Sequence, residues 1–188
     1  RHGLGDFPGA LRDLDEAIRL DAQDYRAFEN RGIIRSELKD FKGSLKDLDE
    51  AIRLRPGLAS IYVNRGATRW RTKDFPGAIA DYEEGIRLDP KWAQPYANRA
   101  LVYEAMQEFA KAALDFLKAM ELSEGRPTYH TGFGERAFSL CIRLMESKKY
   151  TDAAEGFERL SSTFKTVPLG IKSAYNAGCA HSLMGQKE

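Results

Sequence analysis

The 188-residue chain carries 29 basic and 28 acidic side chains. A net charge of +1 speaks against nucleic acid as the main partner, because such binding leaves a stronger basic excess. No apolar run approaches the roughly 20 residues that span a bilayer, and two cysteines, Cys141 and Cys179, are too few and too isolated for a disulfide framework or a zinc site. Both lie among small residues in apolar helical patterns and read as buried core thiols. The opening residues Arg1-His2-Gly3-Leu4-Gly5 contain no signal-peptide apolar run and look like a cut edge. The expectation is a fragment of a longer array, with a cytoplasmic location.

Taken in chain order, residues 1–24 hold one recurring half-unit. Gly5-Asp6-Phe7-Pro8-Gly9-Ala10-Leu11 returns as Lys39-Asp40-Phe41-Lys42-Gly43-Ser44-Leu45, Lys73-Asp74-Phe75-Pro76-Gly77-Ala78-Ile79 and Gln107-Glu108-Phe109-Ala110-Lys111-Ala112-Ala113, at a constant spacing of 34 residues. Each copy ends alike, in Ala17-Ile18-Arg19-Leu20, Ala51-Ile52-Arg53-Leu54, Gly85-Ile86-Arg87-Leu88 and Ala119-Met120-Glu121-Leu122. Before the later copies, Tyr62, Gly66, Ala67 and Trp70, then Tyr96, Ala100 and Tyr103, recur at helical spacing. Each unit is therefore a pair of helices. Asp6, Asp40 and Asp74 are placed to cap the second helices through orphan N–H groups, and Pro8 and Pro76 fit their first turns. Pro56 and Pro90 close them. Small residues Gly32, Gly66 and Ala100 on the first helices face Ala10, Ser44, Ala78 and Ala112 on the second, allowing close axes.

A helix–turn–helix unit repeating every 34 residues resembles the tetratricopeptide repeat family over nearly the whole chain. The complete units are 25–58, 59–92 and 93–126. Gly125-Arg126-Pro127-Thr128-Tyr129-His130-Thr131-Gly132-Phe133 then breaks the register and reads as an inserted loop over 125–133. A diverged unit follows at 134–167, carried by Leu140-Cys141, Tyr150, Ala153, Phe157 and Leu160, and Tyr175-Asn176-Ala177-Gly178 places a further first helix at 171–188. The resemblance implies an all-α, right-handed superhelical solenoid of antiparallel helix pairs, with a concave groove lined by the first helices.

Two residue series separate structure from function. Arg31, Arg65 and Arg99 recur with Asp47, Asp81 and Asp115, and both positions are lost together at Leu140 and Gly156. They read as ion pairs inside each unit. Asn30, Asn64 and Asn98, extended by Asn176, precede those arginines on the face that lines the groove in the family; a side-chain amide there can both donate to and accept from a peptide backbone. The alternative is that they bridge neighbouring helices. Flanking groove positions are Arg26, Glu29 and Ile33, then Val63, Ala67 and Trp70, then Ala97, Leu101 and Glu104. Trp70 suits either an anchor or core filling, and Arg69, Trp70, Arg71 and Lys73 form a basic-aromatic cluster. Arg35 and Arg69 stand where the family usually has an apolar or aromatic residue.

The candidate ligand-binding set is thus Asn30, Asn64, Asn98, Val63, Ala67, Trp70, Leu101 and Arg26. The resemblance implies a protein or peptide partner, an extended segment or a helix, held by a non-enzymatic scaffold or adaptor. Chaperone-binding members clamp a terminal carboxylate with basic and amide residues. Those positions fall here on Glu29, Ile33, Gln94 and Asn98, or on Val63, Ala67, Glu135 and Ser139, so only the central Asn64 or Asn98 agrees and no clamp is expected. Two other readings stay open: a regulatory or substrate-recruiting repeat domain of a larger enzyme, since the Asn ladder resembles that of O-linked N-acetylglucosamine transferases, and a self-association module forming a homodimer. His2, His130 and His181 lack metal-ligand spacing, and Thr131-Gly132-Phe133-Gly134 follows no strand pattern, so neither a cofactor nor a metal is expected.

Overall fold

The computed structural model describes residues 7–123 and 127–163, in which every regular element is an α-helix. One unit, Arg1–Pro90, holds α1 (Phe7–Leu20), α2 (Tyr25–Glu37), α3 (Phe41–Leu54), α4 (Ala59–Arg71) and α5 (Phe75–Leu88). The other, Lys91–Glu188, holds α6 (Ala93–Ala105), α7 (Phe109–Leu122), α8 (Pro127–Glu146) and α9 (Tyr150–Thr163). The architecture is an all-α helical-repeat solenoid. The expected cap Asp6, the thiol Cys179 and the helix read at 171–188 lie outside the described residues.

Short turns fold each first helix onto its second. After α2, Lys39 takes a left-handed φ of 64°, and its N–H donates to the Ser36 carbonyl while the Asp40 N–H donates to Arg35. This pair of bonds satisfies carbonyls that the helix end would otherwise leave open. Asp40 then caps α3, its carboxylate accepting from the Gly43 N–H at 3.0 Å. Asp74 accepts from Gly77 in the same way. A Cβ on Gly43 or Gly77 would overlap the capping carboxylate and crowd the Arg35 or Arg69 stem, so only glycine fits both the cap and the arginine.

Close approach within the first unit rests on the expected small residues, although the facing atoms differ in part. A Cβ on Gly32 would meet Leu48 Cγ at 2.8 Å and the Ser44 backbone oxygen at 3.3 Å; one on Gly66 would meet Tyr82 and Asp81 rather than Ala78. Beside these contacts run the expected ion pairs. Arg31 holds Asp47 through two nitrogens at 2.9 and 2.7 Å, and Arg65 holds Asp81 at 2.6–3.1 Å. Each aspartate also takes a second arginine, Arg35 on Asp47 at 2.7 Å and Arg69 on Asp81 at 2.9 Å. That accounts for Arg35 and Arg69: they neutralise a carboxylate that is only 2% exposed. Arg31 and Arg65 reach back as well, to Asp15 and Asp49 on the preceding second helix.

A chain of buried hydroxyls crosses the same unit. Thr68 Oγ1 lies 3.1 Å from Ser44 Oγ, 3.2 Å from Ser36 Oγ and 3.1 Å from the Asn64 carbonyl oxygen. Ser36 Oγ also accepts from Arg71 at 3.1 Å. Grouped this way, the three hydroxyls avoid the cost of burying an unbonded polar group.

The second unit packs a larger apolar core around Phe116, Leu117, Met120, Leu140, Leu144 and Phe157. Arg99 still holds Asp115 through two nitrogens, at 2.7 and 2.8 Å. In the diverged pair the sizes are exchanged. Cys141 stands at the position of Gly66 and Ala100, and Gly156 opposite it stands at that of Asp81 and Asp115, so close that a Cβ on Gly156 would overlap Cys141 Sγ. Cys141 is fully buried, as expected, and burial pushes its thiol up to about 12.

The loop expected over 125–133 requires correction. From Pro127 onward the segment is helix, because α8 runs 20 residues against 13 for α2, α4 and α6. The left-handed turn residues record the same change: Lys39, Lys73 and Gln107 are 34 apart, and Lys148 follows after 41. The insertion is seven residues, about two helical turns. Proline is tolerated at the first helical position, so Pro127 opens this helix rather than breaking it.

Candidate functional site

In the first unit, α2 and α4 enclose an open cleft of about 310 Å³. Its floor is apolar, from Ile33, Ala67 and Trp70, and its rim is polar, from Ser36, Glu37, Asn64, Thr68 and Arg71. The helical period explains the grouping: Asn64, Ala67, Thr68 and Arg71 fall on one stripe of α4, three or four residues apart. Asn64 Nδ2 donates to Glu29 Oε1 of α2 at 2.9 Å, which leaves the amide oxygen and the second N–H for a ligand. Arg71 pairs with Glu37 at 2.8 Å across the mouth. Trp70 is half-buried, its ring 5.3 Å from Phe75 at 34°. It both packs and lines the cleft.

A second cleft, of about 290 Å³, lies within the other unit. Gln94, Ala97, Asn98 and Leu101 of α6 form one wall, Phe116 of α7 the base, and Gly132, Phe133 and Arg136 of α8 the other wall. Phe133 stacks on Phe116 at 6.3 Å, and Arg136 lies over the Phe116 ring while bonding Glu104 at 3.0 Å. Asn98 accepts from Gln94 at 2.8 Å.

Of the candidate residues, Asn64, Ala67 and Trp70 come together in the first cleft, and Asn98 and Leu101 line the second. Arg26 and Asn30 are exposed on α2 away from either lining, with Arg26 bonded to the Tyr25 hydroxyl at 3.1 Å. Val63 needs correction: it is only 5% exposed and belongs to the core. One residue of helix is a rotation of about 100°, which turns Val63 away from the stripe that holds Asn64. Ser36, Thr68, Phe133 and Arg136 were not foreseen as lining. Ser36 and Thr68 carried a faint signal, being hydroxyls at positions where other units have Trp70, Ile34 or Val102.

The amides, apolar floors and paired ions of these clefts suit hydrogen bonding and burial. No cluster of metal-binding side chains occurs among the described residues, and no described helix is long and apolar enough to cross a membrane.

The sequence pattern of the tetratricopeptide repeat matches residues 3–59, 59–91 and 93–126. The chain belongs to the tetratricopeptide repeat (TPR) family. This TPR protein has no significant match among curated proteins. Among solved structures, MamA 41-end from Desulfovibrio magneticus RS-1 is 22% identical, with 87% of this chain and 89% of that one covered at a TM-score of 0.63. YrrB, a TPR protein with an unusual peptide-binding site, is 18% identical over 93% of this chain and 85% of its own, at 0.61. The TPR2B domain of yeast Sti1, in its complex with pHsp70, is 22% identical over 63% of this chain and 97% of its own, at 0.59. At these identities the likeness is one of fold.

Proposed function

We propose that this TPR protein is a protein-interaction scaffold that holds a peptide segment in the cleft between α2 and α4. The observation that carries the reading is the pairing of an apolar floor, Ile33, Ala67 and Trp70, with a rim that presents the Asn64 amide oxygen. An apolar side chain entering the floor gains by burial, and the amide oxygen accepts from a peptide N–H without needing a particular sequence. The peptide-bound Sti1 relative and YrrB support this use of the fold. The cleft between α6 and α8 also sets an amide, Asn98, beside apolar Leu101 and Phe133, but there the amide oxygen accepts from Gln94 and the amide N–H groups are what a peptide carbonyl would meet.

A displayed peptide library, selected on the intact chain, tests the reading. Selected peptides are expected to weaken at least about tenfold, or about 1.4 kcal/mol, on Ala67→Glu or Trp70→Ala, and to bind Arg26→Ala as they bind the parent. Peptides that bind all the variants equally would take the cleft out of the account.

A further inference from the structure

The seven residues by which α8 exceeds α2, α4 and α6 supply a binding wall as well as extra helix. Gly132 and Phe133 lie in the added turns, and Arg136 follows three or four residues later on the same stripe. Opposite them stand Asn98 and Leu101 of α6, with Phe116 at the base. Phe133 stacks on Phe116 at 6.3 Å, and the Arg136 guanidinium lies 5.4 Å from the Phe116 ring centre. A cleft of about 290 Å³ suits one large side chain. A ring entering between these walls gains by burial and by offset stacking. Gly132 keeps that space open. Glycine inside a helix is unfavourable relative to alanine, and packing does not demand it here, because a Cβ at this position would meet nothing within 4 Å.

Charge decides what accompanies the ring. The described residues that line the cleft include no carboxylate, and Arg136 is their one charged member. It bonds Glu104 through Nε and Nη2 at 3.2 and 3.0 Å, which leaves both N–H groups of Nη1 to donate. Gln94 and Asn98 use one N–H and one oxygen on each other, so three N–H groups and one oxygen remain between them. An acidic group beside the ring therefore meets donors and a cation, whereas a basic group meets Arg136 with repulsion. We propose that this cleft is a second recognition site, taking an aromatic side chain of a partner protein together with a neighbouring Asp or Glu. The inference rests on the scaffold reading above and adds the class of segment that the inserted turns select.

The test is a displayed library of random peptides, selected in parallel on the intact chain and on its Gly132→Phe and Ala67→Glu variants. Gly132→Phe fills the cleft from an open helical position and should melt at or above the parent, so a loss of binding is not a loss of fold. A set of peptides is expected on the parent that Gly132→Phe no longer recovers, each with an aromatic residue and Asp or Glu adjacent or next but one. Measured singly by fluorescence anisotropy, these should bind Gly132→Phe at least about tenfold more weakly than the parent. Changing their acid to its amide should weaken binding to the parent at least about threefold, and that ratio should fall to about one on Arg136→Gln. Peptides lost on Ala67→Glu but none on Gly132→Phe would leave the scaffold reading standing and overturn this proposal. A set lost on Gly132→Phe without acidic residues, or with a ratio that Arg136→Gln does not change, overturns it too. So does loss of the same peptides on both variants, and no selected peptide at all would sink both readings.

Discussion

A buried aspartate held by two arginines is the residue-level signature of the first unit. Removing one partner of a buried ion pair leaves the other charge unbalanced, a loss of about 3–5 kcal/mol. Asp81→Ala, which takes the shared buried carboxylate from Arg65 and Arg69 and leaves them Asp49 and the Gly77 carbonyl, is therefore expected to lower unfolding stability toward the lower end of that range in a denaturant titration. Arg69→Met should cost distinctly less, since Arg65 still bonds both carboxylate oxygens. The diverged pair in the second unit offers a complementary test in which size replaces charge. Gly156→Ala should destabilise by about 1–3 kcal/mol through overpacking against Cys141, and Cys141→Ala should recover most of it in the double variant. If the two effects simply add, the residues are not in contact as described.

At the level of elements, the turn between paired helices is built on a side chain in an uncommon conformation. Lysine at φ 62°, as at Lys73, bears a cost of about 1–2 kcal/mol that glycine avoids. Lys73→Gly is thus expected to raise the midpoint of thermal unfolding, by a stability gain on the order of 1 kcal/mol. These turns also show why the helices could be read from sequence. The aspartate, the glycine three residues later and the 34-residue spacing each mark a fixed backbone event, and α2 to α7 lie where those marks place them. The extension of α8 could not be read the same way. Its Gly, Pro and Thr residues favour a loop locally, while packing of Phe133 on Phe116 depends on another helix. The clefts were legible to the extent that they follow the helical stripe, which holds Asn64, Ala67, Asn98 and Leu101. Val63 failed by a single step of rotation. Arg35 and Arg69 stayed unexplained until Asp47 and Asp81 appeared beneath them, because one residue's partner on another helix leaves no mark in local composition.

For the molecule as a whole, repetition gives each helix pair nearly the same neighbours, so stability accumulates pair by pair. Repetition also carries a hazard, since similar segments can exchange places during folding. Among the described residues the buried hydroxyls of Ser36, Ser44 and Thr68 occur in this arrangement once: the positions matching Thr68 hold Ile34 and Val102, and those matching Ser44 hold Ala10, Ala78 and Ala112. If the helix carrying Val102 took the place of the one carrying Thr68, two buried hydroxyls would lose their partner, at about 1–3 kcal/mol each. The ion pair shared by the three regular repeats reports that exchange only in part, because Arg99 would serve where Arg65 does while Tyr103 would stand in place of Arg69. The trio therefore acts as a checksum, a small polar code that agrees in only one ordering of otherwise interchangeable parts.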